Sequence, residues 1–221
     1  MLRNENGIEK VYLEHLKLSL AQTKPNQVQT SGNKSVLDKD SGFLRTNIPV
    51  SDNLSKVLGS LLTLSSEHEK YAAENKSVSD IRKGGVKHSR GFSLFASSDP
   101  TIKLFEESFT NTVSEIFRSK LFIDDPFFAI YGGPSAATPH HHLNKWDKEF
   151  NLYSVKYAAV YYVDVGDIGA DQPGNLSLHE PDILIQPNKG DLIIFPASRL
   201  HSAHYNGLKK RIILGINFYT I

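Results

Sequence analysis

The stretch Gly190-Asp191-Leu192-Ile193-Ile194-Phe195-Pro196-Ala197-Ser198-Arg199-Leu200-His201 decides how this chain is read. Gly190 makes a turn and five residues then run as a strand. Pro196, with no N–H to give a ladder, ends it, and His201 begins the next strand. The neighbouring segments repeat the rhythm. Strands are expected at 127–132, 155–164, 176–179, 182–186, 191–195, 201–205 and 211–220. Breakers lie between them at Gly166 to Gly174, at Pro187-Asn188-Lys189-Gly190 and at Asn206-Gly207. Many short strands with regular turns and no intervening helices predict a sandwich or closed barrel, not a parallel α/β sheet.

Before about residue 126 the pattern is mixed. Residues 11–20 fit a strand or a short helix, and 24–35 are polar with Pro and Gly and read as a loop. The segment up to Ile48-Pro49 supplies one or two strands. Two helices stand out. Leu54, Val57, Leu58, Leu61, Leu62 and Leu64 recur at helical spacing behind a capping Asp52. Residues 99–119 open with Asp99-Pro100, a cap followed by proline where its missing N–H costs nothing, and carry the stripe Ile102, Phe105, Phe109, Val113, Ile116. Both stripes are expected to pack on the sheet.

The chain has 221 residues, 39% hydrophobic and 22% charged, enough for a packed core in a single domain over 1–221. Residues 1–125 are expected to buttress a barrel core at 126–221. A formal net charge of +1 argues against a protein built to neutralise nucleic-acid phosphates. No segment approaches the roughly 20 apolar residues of a membrane helix. The start, Met1 to Gly7, lacks the apolar block of a secretory signal, and there are no cysteines. The expectation is a cytoplasmic protein, with a homodimer left open.

Five of the nine histidines fall in two short segments, T-P-H-H-H-L-N (138–144) and L-H-S-A-H (200–204). Alternate strand residues share a face, so His140 and His142 point one way and His141 the other. Two imidazoles at this spacing make half of a metal site. A third from a neighbouring strand, His201, completes a facial set that leaves the opposite positions for substrate. The plainer alternative is an accidental polar loop. His15, His68 and His88 read as surface residues, and His179 and His204 as structural or supporting ones. Arg211 opens the last strand, where an arginine among apolar residues is costly unless a carboxylate meets it. Its planar fork suits a small dicarboxylate, and the alternative is a salt bridge at a barrel rim.

Together these motifs resemble a known family. H-x-H, a strand ending V-Y-Y-V, then G-N-L-S-L-H-E-P, G-D-L-I-I-F-P-A-S-R-L-H-S and R-I-I-L-G-I-N are similar to the prolyl-hydroxylase-like iron(II)/2-oxoglutarate-dependent oxygenases. The likeness is greatest to bacterial and phage oxygenases with P-H-x-H-x-N, F-P-S-x-x-x-H and R-I-x-I-x-F-N, and covers about residues 128–218. It implies a double-stranded β-helix, the jelly-roll or cupin-like barrel. It implies that His140 and His201 bind Fe(2+), that Arg211 binds the distal carboxylate of 2-oxoglutarate, and that Asn217 and Tyr161 line the co-substrate pocket. Of Tyr161 and Tyr162, alternation lets only one face inward. The activity implied is a dioxygenase that uses O2 and 2-oxoglutarate to hydroxylate a substrate the sequence does not name.

The departure lies in the middle ligand. Most of the superfamily has H-x-D or H-x-E, whereas here His142 takes that place, with Asp147 in the following loop as the alternative. An all-histidine set also resembles cupin dioxygenases and isomerases that work without 2-oxoglutarate, and a non-enzymatic metal-binding or sugar-binding barrel is a third reading. Trp146, the only tryptophan, sits in loop 143–154 and either covers a substrate or packs the loop onto the barrel. The basic stretch 82–90 either guides an anionic substrate or is solvated surface.

Overall fold

The computed structural model describes residues 42–61, 82–89 and 93–221. The expectations for 11–20, 24–35, His15, His68 and the end of the first leucine helix lie outside these residues. Nine strands form one curled antiparallel sheet among the described residues. They are β1 (Leu44–Asn47), β2 (Arg82–His88), β3 (Leu121–His140), β4 (Lys156–Asp164), β5 (Pro173–Leu178), β6 (Ile183–Ile185), β7 (Asp191–Pro196), β8 (His201–Tyr205) and β9 (Arg211–Thr220). Hydrogen bonding runs in the order β1-β7-β4-β9-β3-β8-β5-β6, and β2 pairs with β3. The fold is the expected double-stranded β-helix, mostly β with few helices.

β3 departs most from expectation. The sequence predicts a strand at 127–132, yet the strand runs from Leu121 to His140, through Gly132-Gly133-Pro134. Residues 121–131 pair with β9, and 135–140 pair with β8. Gly133, at φ +70°, lets the strand bend between the two partners instead of stopping. The bend carries His140 from one wall of the barrel to the other. The basic stretch is also a strand: Arg82 to His88 pair with β3 from Ala137 back to Ala129.

Strand alternation sorts side chains to two faces. One face of β3, β4, β7 and β9 presents Phe128, Ile130, Ala159, Tyr161, Ile194, Leu214 and Phe218 to the helices. The other presents Ala129, Tyr131, Val160, Tyr162, Ile193 and Ile213 to the barrel interior. Helix α1 covers 54–61 within the described residues and buries Leu54 and Leu58. Helix α2 (Pro100–Phe117) starts where expected, with the Asp99 carboxylate accepting from the Thr101 N–H at 2.8 Å. It ends at Arg118 in the left-handed region. Its buried stripe, Ile102, Phe105, Phe109 and Val113, packs on Tyr161 and Phe218. Each such side chain contributes about 2 kcal/mol of burial, so one face of the sheet is fastened and the interior face is left to the site. No helix among the described residues is long and apolar enough to cross a membrane.

Candidate metal centre and its cavity

His140 is the last residue of β3 and His201 the first of β8, and the two are register partners. The segment 138–144 is therefore only half strand: His142 lies just beyond β3, tied by its N–H to the Ala197 carbonyl at 2.9 Å. The chain segment after Pro196 thus holds one histidine by its backbone and delivers another, His201, four residues on. One ligand atom from each of His140, His142 and His201 lies within 4.8 Å of the others. The rings of His140 and His201 are 4.2 Å apart, and Nε2 of His142 is 3.2 Å from Nε2 of His201.

The outer nitrogens fix the tautomers. Nδ1 of His140 lies 2.6 Å from the Thr138 carbonyl, and Nδ1 of His201 lies 3.1 Å from that of Arg199. A carbonyl only accepts, so each Nδ1 carries the proton and each Nε2 keeps its lone pair for a metal. Burial, with His140 alongside, lowers the pKa of His201 from 6.5 to about 3 and holds its ring neutral. Three imidazoles, each offering one ring nitrogen to a common point, fit a divalent transition metal.

A cavity runs from the triad to Arg211 and is lined by Tyr131, Tyr162 and Leu176 on the way. Arg211 is 1% exposed. Its Nη2 donates to the Gly174 carbonyl at 2.6 Å, but Nε and Nη1 have no hydrogen-bond partner. The rings of Tyr131 and Tyr162 flank the guanidinium at 5.0 and 5.2 Å. A rim salt bridge is thus not what this arginine makes. A buried cation with unused donors fits an incoming carboxylate, which would accept from both nitrogens. The Tyr162 hydroxyl is likewise buried without a partner, and burial pushes its pKa up to about 12, keeping it a proton donor.

Other expected residues fall elsewhere. Tyr161 is not in the cavity: it points to the helical layer, packs on Phe105 at 4.6 Å and donates to the Ile48 carbonyl at 3.1 Å. Alternation along β4 turns Tyr162 inward instead. Asp147 is fully buried and its carboxylate has other partners: Lys156 Nζ at 2.8 Å, the Tyr219 hydroxyl at 2.6 Å and the Asn144 N–H at 2.7 Å. It belongs to the capping box of a short helix, α3 (Lys145–Glu149), inside the segment read as a loop. Trp146 on that helix stacks on Phe150 at 6.0 Å with Lys145 Nζ above it, packing the segment rather than lining the cavity. His179 supports β8 through Ser202 at 3.0 Å, and His204 is exposed. Asn217 lines the cavity, 5% exposed. No site role was expected for Tyr131 or for Gly174, which the sequence marks as a breaker and as the first residue of G-N-L-S-L-H-E-P.

No family model matches the sequence, and no curated protein matches it. Solved structures do match. The viral collagen prolyl hydroxylase of Paramecium Bursaria Chlorella virus-1, in complex with 2-oxoglutarate, superposes with a TM-score of 0.57 at 13% identity, over 84% of this chain and 100% of that one. The fold is that of the 2-oxoglutarate- and iron(II)-dependent oxygenases. A 2-oxoglutarate-Fe(II) oxygenase-family protein of Burkholderia pseudomallei shares this oxygenase fold at TM-score 0.50 and 12% identity, over 82% of this chain and 86% of its own. So does HygX of Streptomyces hygroscopicus, solved with nickel, 2-oxoglutarate and hygromycin B, at TM-score 0.53 and 11% identity, over 81% and 83%.

Proposed function

We propose that this protein is an iron(II)- and 2-oxoglutarate-dependent oxygenase that hydroxylates a C–H bond of a substrate still to be identified. The observation that carries the reading is one cavity holding both the triad His140, His142, His201 and the buried, under-bonded Arg211. In such enzymes the metal and co-substrate supply the oxidising chemistry, and the protein supplies ligation, orientation and a shielded site. Here His140, His142 and His201 would hold the metal through Nε2. Arg211 would take the distal carboxylate through Nε and Nη1, with Nη2 anchored on Gly174. Tyr162 would donate a hydrogen bond from its hydroxyl to the same carboxylate. The apolar walls, Leu176 and Ile213 among them, exclude water from the space between.

The all-imidazole triad favours a second reading, a three-histidine cupin dioxygenase or isomerase without 2-oxoglutarate, but that reading gives Arg211 no task. Anaerobic titration with iron(II) and 2-oxoglutarate separates the two. A weak visible charge-transfer band in wild type that vanishes in His201→Ala is the expected result. No band at saturating metal overturns the reading in favour of the cupin chemistry.

A further inference from the structure

We infer that Asn217 recognises the substrate rather than the co-substrate: its amide oxygen accepts a hydrogen bond from an N–H of the substrate, whose apolar portion lies against Phe127. The inference rests on the oxygenase reading for the position of 2-oxoglutarate.

The inward row of β9 is Arg211, Ile213, Gly215, Asn217, and all four line the same cavity. Arg211 and Asn217 are six residues apart on one strand, roughly 20 Å at about 3.4 Å per residue. The histidine triad lies towards the Asn217 end. Phe127 is the register partner of Gly215, and its ring occupies the space a side chain at 215 would take. The same ring is 6.5 Å from that of His142. Phe195 is in register with Asn217 through Ala158, and its ring is 4.7 Å from that of His201. Asn217 therefore stands beside the metal centre, at the end of the cavity away from Arg211. The carboxylates and keto group of 2-oxoglutarate are acceptors only, so the co-substrate has no donor for the Asn217 Oδ1. The expectation that Asn217 serves the co-substrate does not fit this chemistry.

Asn217 nonetheless carries the mark of a ligand contact. It is 5% exposed, and its Oδ1 is buried with no hydrogen-bond partner. A buried acceptor left unsatisfied is costly, so it persists where something outside the fold completes it. The cavity thus has an unsatisfied polar group at each end: donors on Arg211 and an acceptor on Asn217. Beside Asn217 the wall is apolar, with Phe127 and Val160 both facing Gly215 across the sheet. The substrate class that fits is a molecule with an amide or amine N–H close to an apolar C–H segment. The N–H docks at Asn217, and the adjoining C–H lies at the level of the metal.

The test uses two probes of one shape, cyclohexanecarboxamide and cyclohexyl methyl ketone, which differ in the N–H donor. Binding of each is followed by ligand-observed NMR, with full-length protein alone and with zinc and 2-oxoglutarate. Wild type should bind the amide at least fivefold more tightly than the ketone. Asn217→Leu should abolish that preference and leave 2-oxoglutarate affinity within twofold. Asn217→Asp keeps an acceptor and should keep the preference, which guards against a variant that merely unfolds. Equal binding of both probes to wild type, or a tenfold loss of 2-oxoglutarate affinity in Asn217→Leu, overturns the assignment. If wild type binds no 2-oxoglutarate, the oxygenase reading fails instead. The probe preference of protein alone then still decides whether Asn217 is a binding residue.

Discussion

Nε of Arg211 stands 2.6 Å from the point where a side chain on Gly174 would begin. Gly174 is also at φ +84°, a conformation that L side chains rarely adopt, and its carbonyl accepts from Nη2. One residue therefore gives the guanidinium both its space and its anchor. Gly174→Ala is expected to cost about 1–3 kcal/mol in backbone strain. It should also push the guanidinium off its seat and raise the 2-oxoglutarate dissociation constant at least tenfold. Urea denaturation reads the first effect and anaerobic titration the second. Unchanged 2-oxoglutarate affinity would mean that Arg211 does not hold the carboxylate.

Arg211 itself sets function against stability. Burying a cation without a carboxylate is costly, and the flanking rings of Tyr131 and Tyr162 offset only part of that. Arg211→Met keeps the volume and removes the charge. The metal-free variant should melt at the same temperature as wild type or higher. Wild type with zinc should gain about 2.7 kcal/mol at a hundredfold excess of 2-oxoglutarate over its dissociation constant. The variant should gain nothing, and differential scanning calorimetry checks both.

Much of this was legible in the sequence for one physical reason: short apolar runs bounded by glycine and proline breakers read as buried strands. The runs in β4, β7 and β9 located the barrel, and the two histidine segments hold the three imidazoles that the fold brings together. Which tyrosine faces inward was not legible, since Tyr161 and Tyr162 are both buried and differ only in the face each serves. Asp147 was ambiguous because a carboxylate near a histidine looks the same whether it meets a metal or Lys156. The continuation of β3 was hidden too, because Gly132-Gly133-Pro134 signals a stop where the fold makes a bend.

The pH dependence of stability follows from His201. In the fold its ring stays neutral down to about pH 3, whereas the unfolded chain takes up the proton near the ordinary value of 6.5. Below 6.5 the unfolded state binds more protons, so stability that is fully present above that pH is lost progressively towards 3. The slope approaches about 1.4 kcal/mol per pH unit. Metal-free wild type should lose more stability than His201→Gln between about pH 6.5 and about pH 4.5, measured by urea denaturation. Parallel curves for the two proteins would show that His201 is not held neutral.

Asp147→Asn separates a structural carboxylate from a metal ligand. Lys156 Nζ is 2% exposed and meets Asp147 at 2.8 Å and the exposed Asp124 at 3.1 Å. Removing the Asp147 charge leaves the ammonium with its weaker, more solvated partner, and the single amide oxygen that remains can replace only one of the two carboxylate oxygens that serve the Asn144 N–H and the Tyr219 hydroxyl. Breaking a buried ion pair from one side costs about 3–5 kcal/mol, and Asp124 should hold the loss to the lower end of that range. Metal stoichiometry should stay at one per chain, because the three imidazoles do not depend on this carboxylate. Denaturation and elemental analysis of the same preparation give both numbers. A stable variant that no longer binds metal would instead make Asp147 the middle ligand and displace His142 from the triad.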